Sequence, residues 1–208
     1  MARSRKPAAN RNSLRIIGGQ WRGRKLVFAP VPGLRPTTDR VRETLFNWLA
    51  PVIHQARCLD LFAGSGALGL EALSRGASYC DFVDLAGPAT DQLAAHLATL
   101  GATARAQCHR LAAADFLQRG PQPYDIVFID PPFGRELVAP ACTLLDRMQL
   151  LRQDALVYVE SAAGEGPPVV PASWILHREK TAGGVSYRLF LANCLPSPAD
   201  TATTGRHS

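Results

Sequence analysis

Residues 57–69 read Arg57-Cys-Leu-Asp-Leu-Phe-Ala-Gly-Ser-Gly-Ala-Leu-Gly69. A short apolar run carries one carboxylate, Asp60, and then breaks into Gly64, Gly66 and Gly69. An amphipathic run with Leu68, Leu70 and Leu73 follows. The pattern is strand, tight glycine loop, helix. Glycines admit turns barred to other residues and let a ligand reach the backbone with no Cβ in the way. The helix N-terminus behind them offers N–H groups that lack intrahelical partners. The spacing Gly64-x-Gly66-x-x-Gly69, with Asp84 about 20 residues on, fits a nucleotide-binding loop followed by a ribose-binding carboxylate. A plain strand–helix junction would have the same spacing.

Outward from this loop the pattern repeats. Strand Cys58–Phe62 leads to helix Ala67–Arg75, and strand Tyr79–Asp84 to helix Pro88–Leu100. A weak strand near Ala104–Cys108 precedes a short helix around Ala112–Gln118. Strand Asp125–Ile129 runs into Asp130-Pro131-Pro132-Phe133, then helix Glu136–Leu150 and strand Ala155–Glu160. Repeated βα units imply a doubly wound parallel sheet with helices on both faces. The end differs. Trp174–Glu179 and Val185–Ala192 are joined by Lys180-Thr-Ala-Gly-Gly184, an antiparallel hairpin signal. The fold expected is α/β and Rossmann-like, a seven-stranded sheet with a terminal antiparallel hairpin.

Before the loop, Leu14 to Phe28 holds two β-prone segments around Gly18-Gly19 and Gly23, a small N-terminal hairpin extension. Its arginines interleave with Trp21, a surface suited to phosphates and to stacking on an unpaired base. Pro30–Pro36 reads as a loop. Thr37, Thr38 or Asp39 can cap a helix carrying Val41, Leu45, Trp48 and Leu49, which Pro51 kinks or ends. The expected organisation is a disordered basic tail over 1–13, an RNA-binding hairpin and helix over 14–56, the sheet domain over 57–195, and a loose tail over 196–208.

The chain has 208 residues, 47% of them hydrophobic, with a net charge of +6 and a pI near 9.4. That balance favours an anionic partner. Residues 1–42 hold most of it, with one acid, Asp39, among many arginines and lysines. Arg15, Arg22, Arg24, Lys25, Arg40 and Arg42 are the candidate RNA-binding residues. Cys58, Cys80, Cys108, Cys142 and Cys194 form no Cys-x-x-Cys pair and read as reduced thiols of a cytoplasmic protein, neither disulfides nor metal ligands. No run approaches the ~20 apolar residues of a membrane span, so no membrane partner is expected.

Asp130-Pro131-Pro132-Phe133 is the most specific chemical signal. A conjugated exocyclic amine is a poor nucleophile because its lone pair is delocalised into the ring. The Asp130 carboxylate and the Pro131 carbonyl could hold its two hydrogens and aim the lone pair at a methyl group. Phe133 could stack on the base. Glycine loop, carboxylate at the next strand end, then Asp-Pro-Pro-Phe is the order seen in S-adenosylmethionine methyltransferases acting on amino groups. A carboxylate at Asp60 suits that cationic cofactor better than the pyrophosphate of NAD.

Four segments carry a closer likeness: Arg15-Ile-Ile-Gly-Gly-Gln-Trp-Arg-Gly-Arg-Lys-Leu26, Leu34-Arg-Pro-Thr-Thr-Asp-Arg-Val-Arg-Glu-Thr-Leu-Phe-Asn47, Asp60 through Leu73, and Asp130 through Phe133. With His177-Arg-Glu-Lys180 and Tyr187-Arg-Leu189 they resemble the bacterial 16S rRNA (guanine(966)-N(2))-methyltransferase family over roughly residues 14–192. The resemblance implies methylation of guanine N2 in the 16S rRNA of a partly assembled 30S subunit, with S-adenosylmethionine and no metal. The candidate catalytic residues are then Asp130, Pro131, Pro132 and Phe133, and the cofactor-binding set is Asp60, Phe62, Gly64, Gly66, Asp84 and Thr38. Nothing in the sequence asks for an oligomer, so a monomer is expected.

Two departures from the family stand out. Its common Glu-x-Asp-Arg after the second strand is Asp84-Leu85-Ala86-Gly87 here, and Ala112 stands where a polar residue often opens the short helix, with Asp115 one turn later. Two other readings stay open: the same chemistry on DNA adenine or a protein glutamine, and a non-catalytic RNA-binding assembly factor.

Overall fold

The computed structural model describes residues 12–28 and 38–192. The expected loop Pro30–Pro36, the tail over 196–208, Cys194 and most of the basic tail over 1–13 lie outside the described residues. Asn12 and Ser13 do not belong to that tail; they pair in the first strand.

Strands β1 (Asn12–Arg15) and β2 (Lys25–Phe28) form a two-stranded antiparallel ribbon, with a short 3-10 turn at Gly19–Trp21 between them. Helix α1 (Asp39–Leu49) follows, its first turn capped by Thr38 Oγ1, which accepts from Val41 N at 3.4 Å. It stops two residues short of Pro51, as a residue with no N–H and a fixed φ requires.

The chain then winds through β3 (Arg57–Asp60), α2 (Ala67–Ser74), β4 (Tyr79–Asp84), α3 (Gly87–Thr99), β5 (Ala106–Arg110), α4 (Ala113–Gln118), β6 (Tyr124–Ile129), α5 (Val138–Arg147), β7 (Leu151–Ala162), β8 (Ile175–Ala182) and β9 (Val185–Ala192). The seven strands lie in the order β5-β4-β3-β6-β7-β9-β8. The first five are mutually parallel; β9 runs antiparallel between β7 and β8. The inner strands β4, β6 and the second half of β7 are largely apolar and buried because both their faces are covered, whereas β5, at the sheet edge, is polar and only partly buried. On one face α1, α2, α3 and the N-terminal ribbon share a core with Phe82, Phe128 and Tyr158. On the other, α4, α5 and Trp174 cover Leu59, Val127 and Val157. The strand order reverses between β3 and β6, and ligands of such sheets bind where the strands end at that reversal.

The ribbon is bolted to α2. Glu71, wholly buried in the middle of that apolar helix, accepts from Ile17 N and Gly18 N, both at 2.8 Å, and from Arg75 Nε at 2.7 Å. One turn on, Ser74 Oγ donates to Gly18 O at 2.6 Å and accepts from Trp21 N at 3.0 Å. Gly19 has φ +73, and a Cβ there would collide with the Ser74 carbonyl.

This docking corrects two expectations. Trp21 is 7% exposed, inside the core, so it offers no face to a base. Arg42 is 1% exposed; it donates to Asp39 Oδ1 at 2.6 Å and to the Arg15 carbonyl at 2.9 Å, and lies 3.6 Å from Glu71. It ties α1, β1 and α2 together and is out of reach of a phosphate. A third difference is at α5, which begins at Val138 and not Glu136, because Glu136 takes a positive φ of 50° that no helix continues. Among the described residues, no helix is long and apolar enough to cross a membrane.

Candidate active site

Three carboxylates meet where β3, β4 and β6 end. Asp60 closes β3 and is 3% exposed; its Oδ2 accepts from Gly69 N at 2.9 Å. Burial, opposed in part by that amide and reinforced by the charges of Asp130 and Asp84, pushes its carboxyl up to about 7. Asp84 closes β4 and grips the loop with both oxygens: Oδ2 accepts from Gly64 N at 2.7 Å and Oδ1 from Ala86 N at 2.8 Å. Asp130 follows β6. All three line one cavity of about 690 Å³, together with Phe62, Gly64, Leu85, Ala112, Pro131, Pro132 and Phe133. Pro131 is buried, and Phe133, at 37% exposure, stands at the rim.

Local sequence explains the geometry. Leu59 and Leu61 anchor the strand end in the core, and Gly66, at φ +77, turns the chain into α2. Gly69 has its reason in packing: a Cβ there would stand 2.7 Å from Phe82 Cζ and 2.9 Å from Cys80 Sγ, so only glycine lets α2 lie this close to β4.

The sequence-predicted set is brought together in large part. Asp60, Phe62, Gly64, Asp84 and the Asp130–Phe133 run all face the cavity. Gly66 and Thr38 are not among the residues lining it. Gly66 is turned toward α3, where a Cβ would meet Leu93 Cδ1 at 2.5 Å, and Thr38 is an exposed helix cap. Arg15, Arg22, Arg24, Lys25 and Arg40 are exposed.

At the two departures, Ala112 N-caps α4 without a side-chain bond, Asp115 is exposed, and Ala112, Ala113 and Leu111 give the cavity an apolar wall. Where the resemblance would put an arginine at position 87, the guanidinium of Arg110, from the end of β5, fills the space instead: a Cβ on Gly87 would lie 2.6 Å from Arg110 Cζ. The residues missed from sequence are Glu71 and Ser74. The available signal was Glu71 itself, a lone acid in an otherwise apolar helix.

A parallel sheet closed by an antiparallel pair, with a glycine loop and three carboxylates at the strand-order reversal, is the fold of the S-adenosylmethionine-dependent methyltransferases. A solved Escherichia coli structure, the methyltransferase candidate yhhF, matches with a TM-score of 0.81 and 54% identity over 87% of this chain and 98% of that one. The family model described as Conserved hypothetical protein 95 matches residues 14–191. Ribosomal RNA small subunit methyltransferase D of Escherichia coli K12 is 56% identical over 177 residues, 85% of this chain and 89% of the relative. Its Haemophilus influenzae namesake is 48% identical over 183 residues, 86% of this chain and 94% of the relative. The chain belongs to this family.

Proposed function

We propose that this protein is a S-adenosylmethionine-dependent rRNA methyltransferase whose target is the exocyclic N2 of a guanine in small-subunit rRNA, guanine 966 by the family resemblance. The observation that carries the reading is the meeting of Asp60, Asp84 and Asp130-Pro-Pro-Phe133 on one cavity. The relatives' names support rRNA as the polymer, and the exposed Arg15, Arg22, Arg24, Lys25 and Arg40 support a polyanionic partner. The substrate we favour is a partly assembled 30S subunit in the cytoplasm, met by a monomer, with residues 14–56 serving as the RNA-facing unit and 57–195 as the catalytic one.

The residues fit the cofactor. A buried carboxylate whose proton is held up to about 7 by burial and by two neighbouring acids is relieved by a cationic ligand. Asp60 would take the ammonium end, Asp84 the ribose hydroxyls through the lone pairs its amide partners leave, and Phe62 with the Leu111–Ala113 wall the flat base. When bound, S-adenosylmethionine supplies an electrophilic methyl group on a sulfonium.

The rest falls to the chain. The target base must leave its stack to reach the cavity. Phe133 at the rim offers a ring to lie against. The Asp130 carboxylate and the Pro131 carbonyl accept the two amine hydrogens, which turns the nitrogen lone pair toward the donor side and favours pyramidal nitrogen. Transfer would form the N–C bond as the methyl's bond to the sulfonium breaks, leaving a neutral thioether, and the surplus amine proton would go to Asp130 or to water.

The test is transfer of labelled methyl to small subunits from cells lacking this gene, followed by nucleoside analysis. N2-methylguanosine at one 16S position is expected, and Asp130→Ala is expected to abolish it while cofactor binding persists. Label in DNA adenine or in protein glutamine, with none in rRNA, would overturn the reading.

A further inference from the structure

The outer strand β8 carries cations that the catalytic reading does not use. Residues 175–181 are all exposed. Strand pairing sorts their side chains by face. Directly opposed residues of an antiparallel pair share a face; Lys180 is opposite Tyr187, and Arg178 opposite Leu189. Tyr187 and Leu189 belong to the core under α1, so Lys180 and Arg178 stand on that same face. Glu179, between them, points the other way and pairs with Arg188 at 2.7 Å.

The register also gives their height. Lys180 is level with Tyr187, Tyr187 with Glu160, and Val159 with Ile129, so Lys180 is level with the residue after Ile129, which is Asp130. Three strand spacings of about 4.8 Å separate β8 from β6, so Lys180 lies roughly 14 Å from Asp130 across the sheet. Arg178 sits one same-face step lower, level with Phe128 and Asp60. Among the described residues neither cation is in an ion pair. The basic ribbon docks on α2 and α3, on the same side of the sheet but toward β4 and β5.

We infer that Arg178 and Lys180 form a second phosphate-binding edge, so that the rRNA strand crosses the active-site end of the sheet with its target nucleotide between two basic flanks, the N-terminal ribbon on one side and β8 on the other. This rests on the rRNA-methyltransferase reading above. Two anchors flanking the target suit a base that must be turned out of its stack, because phosphates held on both sides define the gap from which the base leaves. The tip beyond Lys180 is Gly183-Gly184, which adds no side-chain bulk between the edge and an approaching backbone.

The experiment uses the full chain with Arg178→Gln and Lys180→Gln together, both exposed and free of the core. Binding to unmodified small subunits is measured across a salt series, with methyl-transfer kinetics alongside; Arg22→Gln with Arg24→Gln is the parallel variant. Losing two phosphate contacts to a single strand is expected to flatten the slope of log K against log salt by about 1.4, and to raise KM by about tenfold at low salt with kcat nearly unchanged. An unchanged slope and KM for the β8 variant, with the ribbon variant shifted, overturns this inference and leaves the rRNA reading standing. If neither variant moves the slope and the native protein methylates no rRNA, the underlying reading falls as well.

Discussion

Replacing Glu71 with glutamine keeps the side chain's size and removes its charge, and the structure says what that should cost. Three N–H donors point at the two carboxylate oxygens: Ile17 N at Oε2, and Gly18 N and Arg75 Nε at Oε1, all within 2.8 Å. An amide has one acceptor oxygen. Placed at the Oε1 position, it serves Gly18 and Arg75 and turns its NH2 against Ile17 N. One buried donor without an acceptor costs about 1–3 kcal/mol. Arg42, 1% exposed, also loses its buried counter-charge at 3.6 Å, and breaking a buried ion pair costs about 3–5 kcal/mol. The two effects overlap, so about 3–5 kcal/mol in all is expected, a factor of at least about a hundred in the docking equilibrium. Hydrogen exchange reads it site by site. The amides of Ile17 and Gly18 should exchange at least about a hundredfold faster in Glu71→Gln, while those of β3 and β6 change far less. RNA affinity should fall with the ribbon's docking, and cofactor affinity should fall less. A loss under ~1 kcal/mol at both amides would refute the claim that Glu71 anchors the ribbon.

Four further outcomes are expected. Asp60 is held protonated up to about 7, so in the free protein it contributes stability that is lost as pH rises from near 4 through 7, and a cationic ligand reverses the preference; calorimetry should show S-adenosylmethionine binding about fivefold tighter at pH 7 than at pH 6, below the range near 8 where an α-amino group loses its own proton, and a flat profile would contradict the pairing. Asp84→Asn can satisfy only one of Gly64 N and Ala86 N, so cofactor affinity should drop by about 1–3 kcal/mol in the same assay, and native affinity would rule out its grip on the loop. Gly69→Ala gains helix propensity of about 1 kcal/mol but drives a methyl into Phe82 and Cys80, so thermal melting should show net destabilisation; a raised Tm would overturn the close-packing argument. Burial pushes the thiols of Cys108 and Cys142 up to about 11 and 12, and those of Cys58 and Cys80 upward as well; alkylation at pH 8 should therefore be slow until denaturant is added, as counted by mass spectrometry.

The parts of this molecule legible in its sequence are those specified by neighbours a few residues away. The loop from Asp60 to Gly69, the apolar strand before Asp130 and the Gly183-Gly184 turn each declare themselves locally, and each stands close to where the pattern put it. What was not legible depends on distant partners. Arg42 reads as one more cation in a basic stretch until Glu71, 29 positions later, is seen to lie against it. Trp21 among arginines reads as an exposed stacking ring until the 3-10 turn folds it onto Ser74, 53 residues on. Gly66 belongs by spacing to the ligand loop, yet its place is set by Leu93 of α3. The exchange of an arginine at 87 for Arg110 was equally hidden, because it crosses from the start of α3 to the end of β5, 23 positions later.

The clamp between the ribbon and α2 joins residues 54 positions apart, which orders events during synthesis. The ribbon is translated first but cannot settle, since its partners Glu71 and Ser74 and the core-facing side of α2 have yet to be made. A nascent chain halted before residue 75 has left the ribosome's exit tunnel carries a basic, apolar segment with nothing to close upon, and long-range closure of this kind is the slow part of folding. The ribbon's exposed basic surface, which we propose meets the RNA, is therefore shaped only after the glycine loop that precedes α2 has been laid down.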